Sequence, residues 1–137
     1  MKIKIKRIFI KLESDGKQRL NIFFSDSGTI NRMGDGSDDR ISRFFIGRTD
    51  EPIFAIFIEK ISEDLLSLVG RYSFPDPKGE LCKLIISFVG DDIDTGFEFT
   101  YGTDSDGPPE EIINLVNLAL DLTDSWYEEQ LNQKKRN

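Results

Sequence analysis

Through most of this chain apolar and polar residues alternate with a period of two, the pattern of strands with one wet face. Ile3 and Ile5 alternate with Lys2, Lys4 and Lys6, and the phase then shifts to Ile8, Ile10 and Leu12. This predicts one long first strand with a bulge near Lys6-Arg7, its lysines protecting a sheet edge. Ser14-Asp15-Gly16-Lys17 has the composition of a hairpin turn and leads to a second strand around Leu20, Ile22 and Phe24. A short third strand is expected at Thr29 to Met33 and a fourth at Ile41 to Ile46, separated by the Gly- and Asp-rich Gly34 to Asp39. Arg71 to Phe74 reads as a fifth, Pro75 to Gly79 as the hairpin connection after it, and Leu81 to Val89 as the best strand in the chain. The last strand precedes the Asp-Gly turn from Gly102 to Gly107: Phe97, Phe99 and Tyr101 alternate there with Glu98 and Thr100.

Helical spacing occurs twice. Ile112, Ile113, Leu115, Val116, Ala119, Leu120, Leu122, Trp126 and Tyr127 fall on one side of a helix, opposite Glu110, Asn114, Asp121, Asp124 and Glu128. Pro108 suits the N-cap, Pro109 the first helical position, and Glu110 and Glu111 meet the positive end of the helix dipole. The segment Thr49 to Val69 keeps helical spacing at Ile53, Phe57, Ile61, Leu65 and Leu68, which predicts a helix of roughly 18 residues. The run Ile53-Phe54-Ala55-Ile56-Phe57-Ile58 is also strand-like, and Ser62 could cap a separate second helix. Residues 53–61 are therefore open between helix and strand, the alternative being a strand to Ile61 and then a short helix.

The resulting order is β-β-β-β-α-β-β-β-α. Strands in runs with short turns imply an α+β class, with a largely antiparallel sheet of about six to seven strands and two helices packed on one face. The 137 residues are expected to form a single domain, 1–137, with a flexible basic tail from about 132.

Composition narrows the chemistry. There is no histidine, which removes Ser-His and Cys-His pairs and His-ligated metals. The one cysteine, Cys82, sits in the apolar series Cys82, Leu84, Ile86 and Phe88 and reads as an inert core residue. No phosphate-cradling loop is present. The acidic turns are the remaining clusters with metal chemistry: Asp92 and Asp94, then Asp104 and Asp106, place carboxylates two apart beside glycine. Aligning Gly107 with the invariant glycine of a calcium loop puts Gly102 first and Ile113 twelfth, so the EF-hand pattern fails. A looser calcium or magnesium site shared between the turns is the alternative to plain turns; no cofactor is expected.

Of the net charge of −7, residues 1–20 hold +5 and Lys134-Lys135-Arg136 hold +3, so residues 21–133 hold −15. An acidic body favours a basic partner and disfavours nucleic acid and anionic membrane. No apolar run is long enough to span a bilayer and the N-terminus lacks a signal-peptide block, so a cytoplasmic protein is expected. The expectation is a non-enzymatic protein-binding module. Small acidic immunity proteins and inhibitors of nucleic-acid-binding proteins offer an analogy of class. The partner surface would be the outer helix face, with Glu111, Asp121, Asp124, Glu128 and Glu129. Alternatives are a cation-dependent enzyme or sensor on the Asp-rich turns, and a homo-oligomeric structural protein with Trp126 and Tyr127 or the first strand at its interface.

Overall fold

A computed structural model describes residues 4–36 and 43–136, with side chains to 133. Its order is β1 (Arg7–Ser14), β2 (Lys17–Ser25), β3 (Thr29–Met33), β4 (Phe44–Arg48), α1 (Ile53–Glu59), α2 (Glu63–Leu66), β5 (Gly70–Ser73), β6 (Leu81–Val89), β7 (Asp94–Gly102) and α3 (Glu110–Arg136). The seven strands form one sheet in the order β4-β3-β2-β1-β6-β7-β5. The class is α+β, as the strand and helix patterning implies. The sheet is mixed, however, and the helices are three.

Alternation decides which face is covered. Ile8, Ile10, Leu20, Ile22, Phe24, Ile30, Leu84, Ile86, Phe88, Phe97 and Phe99 turn to one side and are buried there beneath the helices. From α1, Phe57 meets Phe24 edge-on at 5.1 Å. From α3, Ile112, Leu115, Ala119, Thr123 and Tyr127 recur every three or four residues along the buried seam. Ile113, expected on the apolar side, falls beside the seam instead and is exposed.

Several expectations are corrected. β1 is a central strand, paired with β2 on one side and β6 on the other, so its cations guard no edge. The phase change at its start lies before the strand: Ile5 is already buried, β1 begins at Arg7, and the register shift falls between Leu12 and Glu13. Residues 41–42 of the expected fourth strand lie outside the described residues; the strand itself runs two residues past Ile46, to Arg48. Pro75 to Gly79 does not join neighbours, because β6 pairs with β1 and β7, while β5 runs parallel to the far side of β7. Tyr72 of β5 stacks on Phe99 of β7 at 5.1 Å, a contact that turn composition cannot encode. The expected long helix at 49–69 is two short ones. Lys60 ends α1, Ile61 is buried, and the Ser62 side chain accepts from Leu65 N–H at 3.0 Å to start α2. The last helix starts one residue later than expected, with the Pro109 carbonyl accepting from Ile113 at 3.1 Å, and continues through the basic run to Arg136.

The turns follow local rules more closely. Asp15 and Gly16 both have positive φ, 54° and 76°, the two-residue turn whose twist suits a hairpin. Gly47 in β4 answers to tertiary packing instead. A Cβ there would lie 2.8 Å from Cζ2 of Trp126, so the indole occupies the space a side chain would fill. Gly47→Ala is expected to lower stability by about 1–2 kcal/mol in urea unfolding, the overpacking outweighing the entropic gain of losing a glycine. Adding Trp126→Phe in the same chain should recover part of that loss. No helix among the described residues is long and apolar enough to cross a membrane.

Candidate functional site

Between α2 and the first half of α3 lies an open groove of about 490 Å³. Its two walls arise from different causes. On one side Ser62 caps α2, while Glu63 and Asp64 sit in the first turn, where negative charge is favoured. Leu65 is thereby turned inward and Leu68 is left 45% exposed. On the other side the α3 period brings Leu115 and Leu118 to the same groove and places Glu111 on its rim. The floor is leucine; the rim carries Asp64 and Glu111 against one cation, Lys60.

Of the acidic residues expected on the outer helix face, Glu111, Asp121, Glu128 and Glu129 are exposed. Asp124 has another partner. Arg32, on the covered face of β3 and only 1% exposed, donates from Nη1 to Asp124 Oδ1 at 2.8 Å. The same guanidinium donates to Thr123 Oγ1 at 2.8 Å and to the Gly34 carbonyl at 2.7 Å, and lies 4.7 Å from the Tyr127 ring centre. Tyr127 in turn accepts from Gly34 N–H at 3.0 Å and packs edge-on to Phe45 at 5.8 Å. Both Trp126 and Tyr127 are thus committed to holding α3 on β3 and β4. Arg32 carried a sequence signal, an arginine two residues from Ile30 on an apolar strand face, but its partner lies 92 residues away.

The Asp-rich turns are separated. Asp92 and Asp94 lie at the start of β7 and Asp104 and Asp106 just beyond its end, so its nine residues hold them apart. At about 3.3 Å per residue that is roughly 27 Å, and no site is shared between the turns. The second turn is held by its backbone and hydroxyls: Asp104 N–H donates to the Lys78 carbonyl at 2.8 Å, Glu80 N–H to Thr103 Oγ1 at 3.0 Å and Gly102 N–H to Ser105 Oγ at 3.1 Å. In the first, Asp91 is paired with Lys6 at 2.7 Å. The hydrogen bond from Lys6, then its charge, holds the Asp91 carboxyl below the usual range. Among the described residues no three His, Cys, Asp or Glu side chains gather to hold a metal ion.

Cys82 is buried opposite Ser14 across the β1–β6 ladder, 3.7 Å from its hydroxyl, which donates to Glu80 Oε2 at 2.8 Å. Burial, with Cys82 adjacent, raises the Tyr101 phenol above its ordinary pKa. These are packed cross-strand neighbours.

Charge is divided between the two faces. The helical layer exposes Glu59, Glu63, Asp64, Glu110, Glu111 and Asp121 beside Lys60, whereas the open face of the sheet carries Arg7, Lys11 and Lys83, with Glu13 opposite Lys83, around a Phe9–Phe23 pair at 4.7 Å. No protein-family model, no curated protein and no solved structure matches this chain, so its functional reading rests on these surfaces alone.

Proposed function

We propose that this chain is a non-enzymatic protein-binding module of the immunity or inhibitor kind, which masks a basic partner by taking an amphipathic segment of it into the α2–α3 groove. The observation that carries this is the groove's pairing of a leucine floor with an acidic rim, Asp64 and Glu111. A segment with leucine-like side chains on one side and Lys or Arg on the flanks satisfies both parts. The acidic outer surface of α3, with Asp121, Glu128 and Glu129, continues the same field and speeds the encounter with a cationic partner.

Selection of displayed peptides on the immobilised chain tests the proposal. It is expected to enrich sequences that combine apolar residues at helical spacing with Lys or Arg, binding more weakly as salt rises. Leu68→Asp, at a partly exposed floor position, and Glu111→Lys, on the rim, should each weaken the selected peptides at least about tenfold, equivalent to about 1.4 kcal/mol. Glu129→Lys, farther along α3, should weaken them less. Enrichment of acidic sequences, or binding that survives both groove substitutions, would sink the proposal.

A further inference from the structure

The two edges of the sheet differ. β5 closes one side with four residues, Gly70–Ser73, that include Arg71, and Pro75 follows two residues later. β4 closes the other with Phe44 46% and Ile46 71% exposed, and Ile46 is the most exposed large apolar side chain among the described residues. Its one charge, Arg48, stands at the end of the strand and turns back to the Ser27 carbonyl, and the strand carries no proline, lysine or inward charge of the kind that normally blunts an edge.

The backbone of β4 is also poised to pair. Thr49 N–H donates to the Gly28 carbonyl at 2.9 Å, and the β3–β4 register continues from there through Ile30 opposite Gly47 and Arg32 opposite Phe45. In an antiparallel ladder hydrogen-bonded and non-bonded pairs alternate. Gly47 and Phe45 therefore spend their N–H and C=O groups on β3, while Phe44, Ile46 and Arg48 direct theirs outward. The outward groups are centred on Ile46.

We propose that β4 pairs antiparallel with β4 of a second copy of this chain, about a twofold axis through Ile46, joining the two sheets edge to edge. The strand is self-complementary about that residue. Ile46 meets its own copy, removing the most exposed apolar side chain from water. Phe44 of one copy lies opposite Arg48 of the other on the open face, against the stem of that side chain. On the helical face Phe45 of one copy lies opposite Gly47 of the other, so its ring, already edge-on to Tyr127, comes alongside the Trp126 indole that covers that glycine. Every outward N–H and C=O of one strand finds its counterpart. The contact is isologous and closes at two copies.

The helices leave room for it. Arg32 ties α3 to β3, and β3 and its copy would lie three strand spacings apart, roughly 14 Å. Packed helices need only about 8–10 Å. Because the axis stands perpendicular to the sheet, both helical layers fall on the same side, and the dimer presents two acidic grooves in one direction.

Light scattering on the full chain, across micromolar to high-micromolar concentration, is expected to give a dimer. Ile46→Lys sets like charges directly opposite one another and is expected to give monomer. Its far-UV circular dichroism and Tm at low concentration should match the parent monomer, since the side chain is exposed there. Ile46→Cys gives a second readout. Hydrogen-bonded antiparallel partners have Cα atoms about 5.5 Å apart, within disulfide reach, so mild oxidation should trap a covalent dimer. Arg48→Cys, whose copy lies on the far side of the axis, should not be trapped. A parent chain that stays monomeric, or a dimer that survives Ile46→Lys, overturns the proposal; the monomeric outcome would leave the edge to an extended segment of a different protein.

Discussion

Arg32→Ala is expected to destabilise the chain by about 3–5 kcal/mol, with Tm falling by roughly 10 °C or more. Two losses combine. The side chain is 1% exposed, so its removal opens a cavity between β3 and α3. Its removal also strips the Gly34 carbonyl and Asp124 of a charge-assisted donor and takes the cation from the Tyr127 ring. Arg32→Met separates the two. Thr123 keeps its 2.8 Å bond to the Ala119 carbonyl, and Asp124, half exposed, regains water. Mainly the Gly34 carbonyl is then orphaned, and the expected loss is about 1–3 kcal/mol. If Met proves as damaging as Ala, packing is not the main source of the effect. The same geometry divides two acids that look alike in sequence. Asp121→Asn should stay within about 0.5 kcal/mol, as surface changes do. Asp124→Asn should cost distinctly more, because it takes the counter-charge from a buried guanidinium.

Phe57→Ala is the second large effect, expected at about 3–5 kcal/mol in chemical denaturation. Phe57 is fully buried against Phe24, and that edge-on pair contributes about 0.5–1.5 kcal/mol beyond its area. Its importance is raised by how little else holds α1. The helix has seven residues and no side-chain cap hydrogen bond, so it depends on burying Ile53 and Phe57. Loss of the anchor should free α1 and, with it, α2 and one wall of the groove. Hydrogen exchange should therefore show residues 53–69 losing protection before the strands do. Uniform loss across β1, β6 and the helices would mean that α1 unfolds only with the whole chain. Peptides selected on the groove should bind Phe57→Ala weakly even where the sheet remains folded.

The two proposed surfaces are independent. The groove lies on the helical layer and the paired edge is β4, so Leu68→Asp is expected to leave the dimer intact and Ile46→Lys to leave peptide binding intact.

What could be read from the sequence is what local physics controls. Leu81 to Val89 forms a strand over the expected residues because strict alternation leaves one way to bury Leu84, Ile86 and Phe88. The Asp15-Gly16 turn, the Ser62 cap and the buried seam of α3 follow from dihedral preference, an orphan N–H and a period of about 3.6 residues. Strand partners were not legible. Placing β1 in the centre, β5 parallel beyond β7 and β4 at the outer edge depends on contacts between distant segments, such as Tyr72 on Phe99. Arg32 and the groove belong to the same class. Each exists only where two stretches of chain far apart in sequence meet, and side-chain periodicity carries no record of which stretch will be opposite.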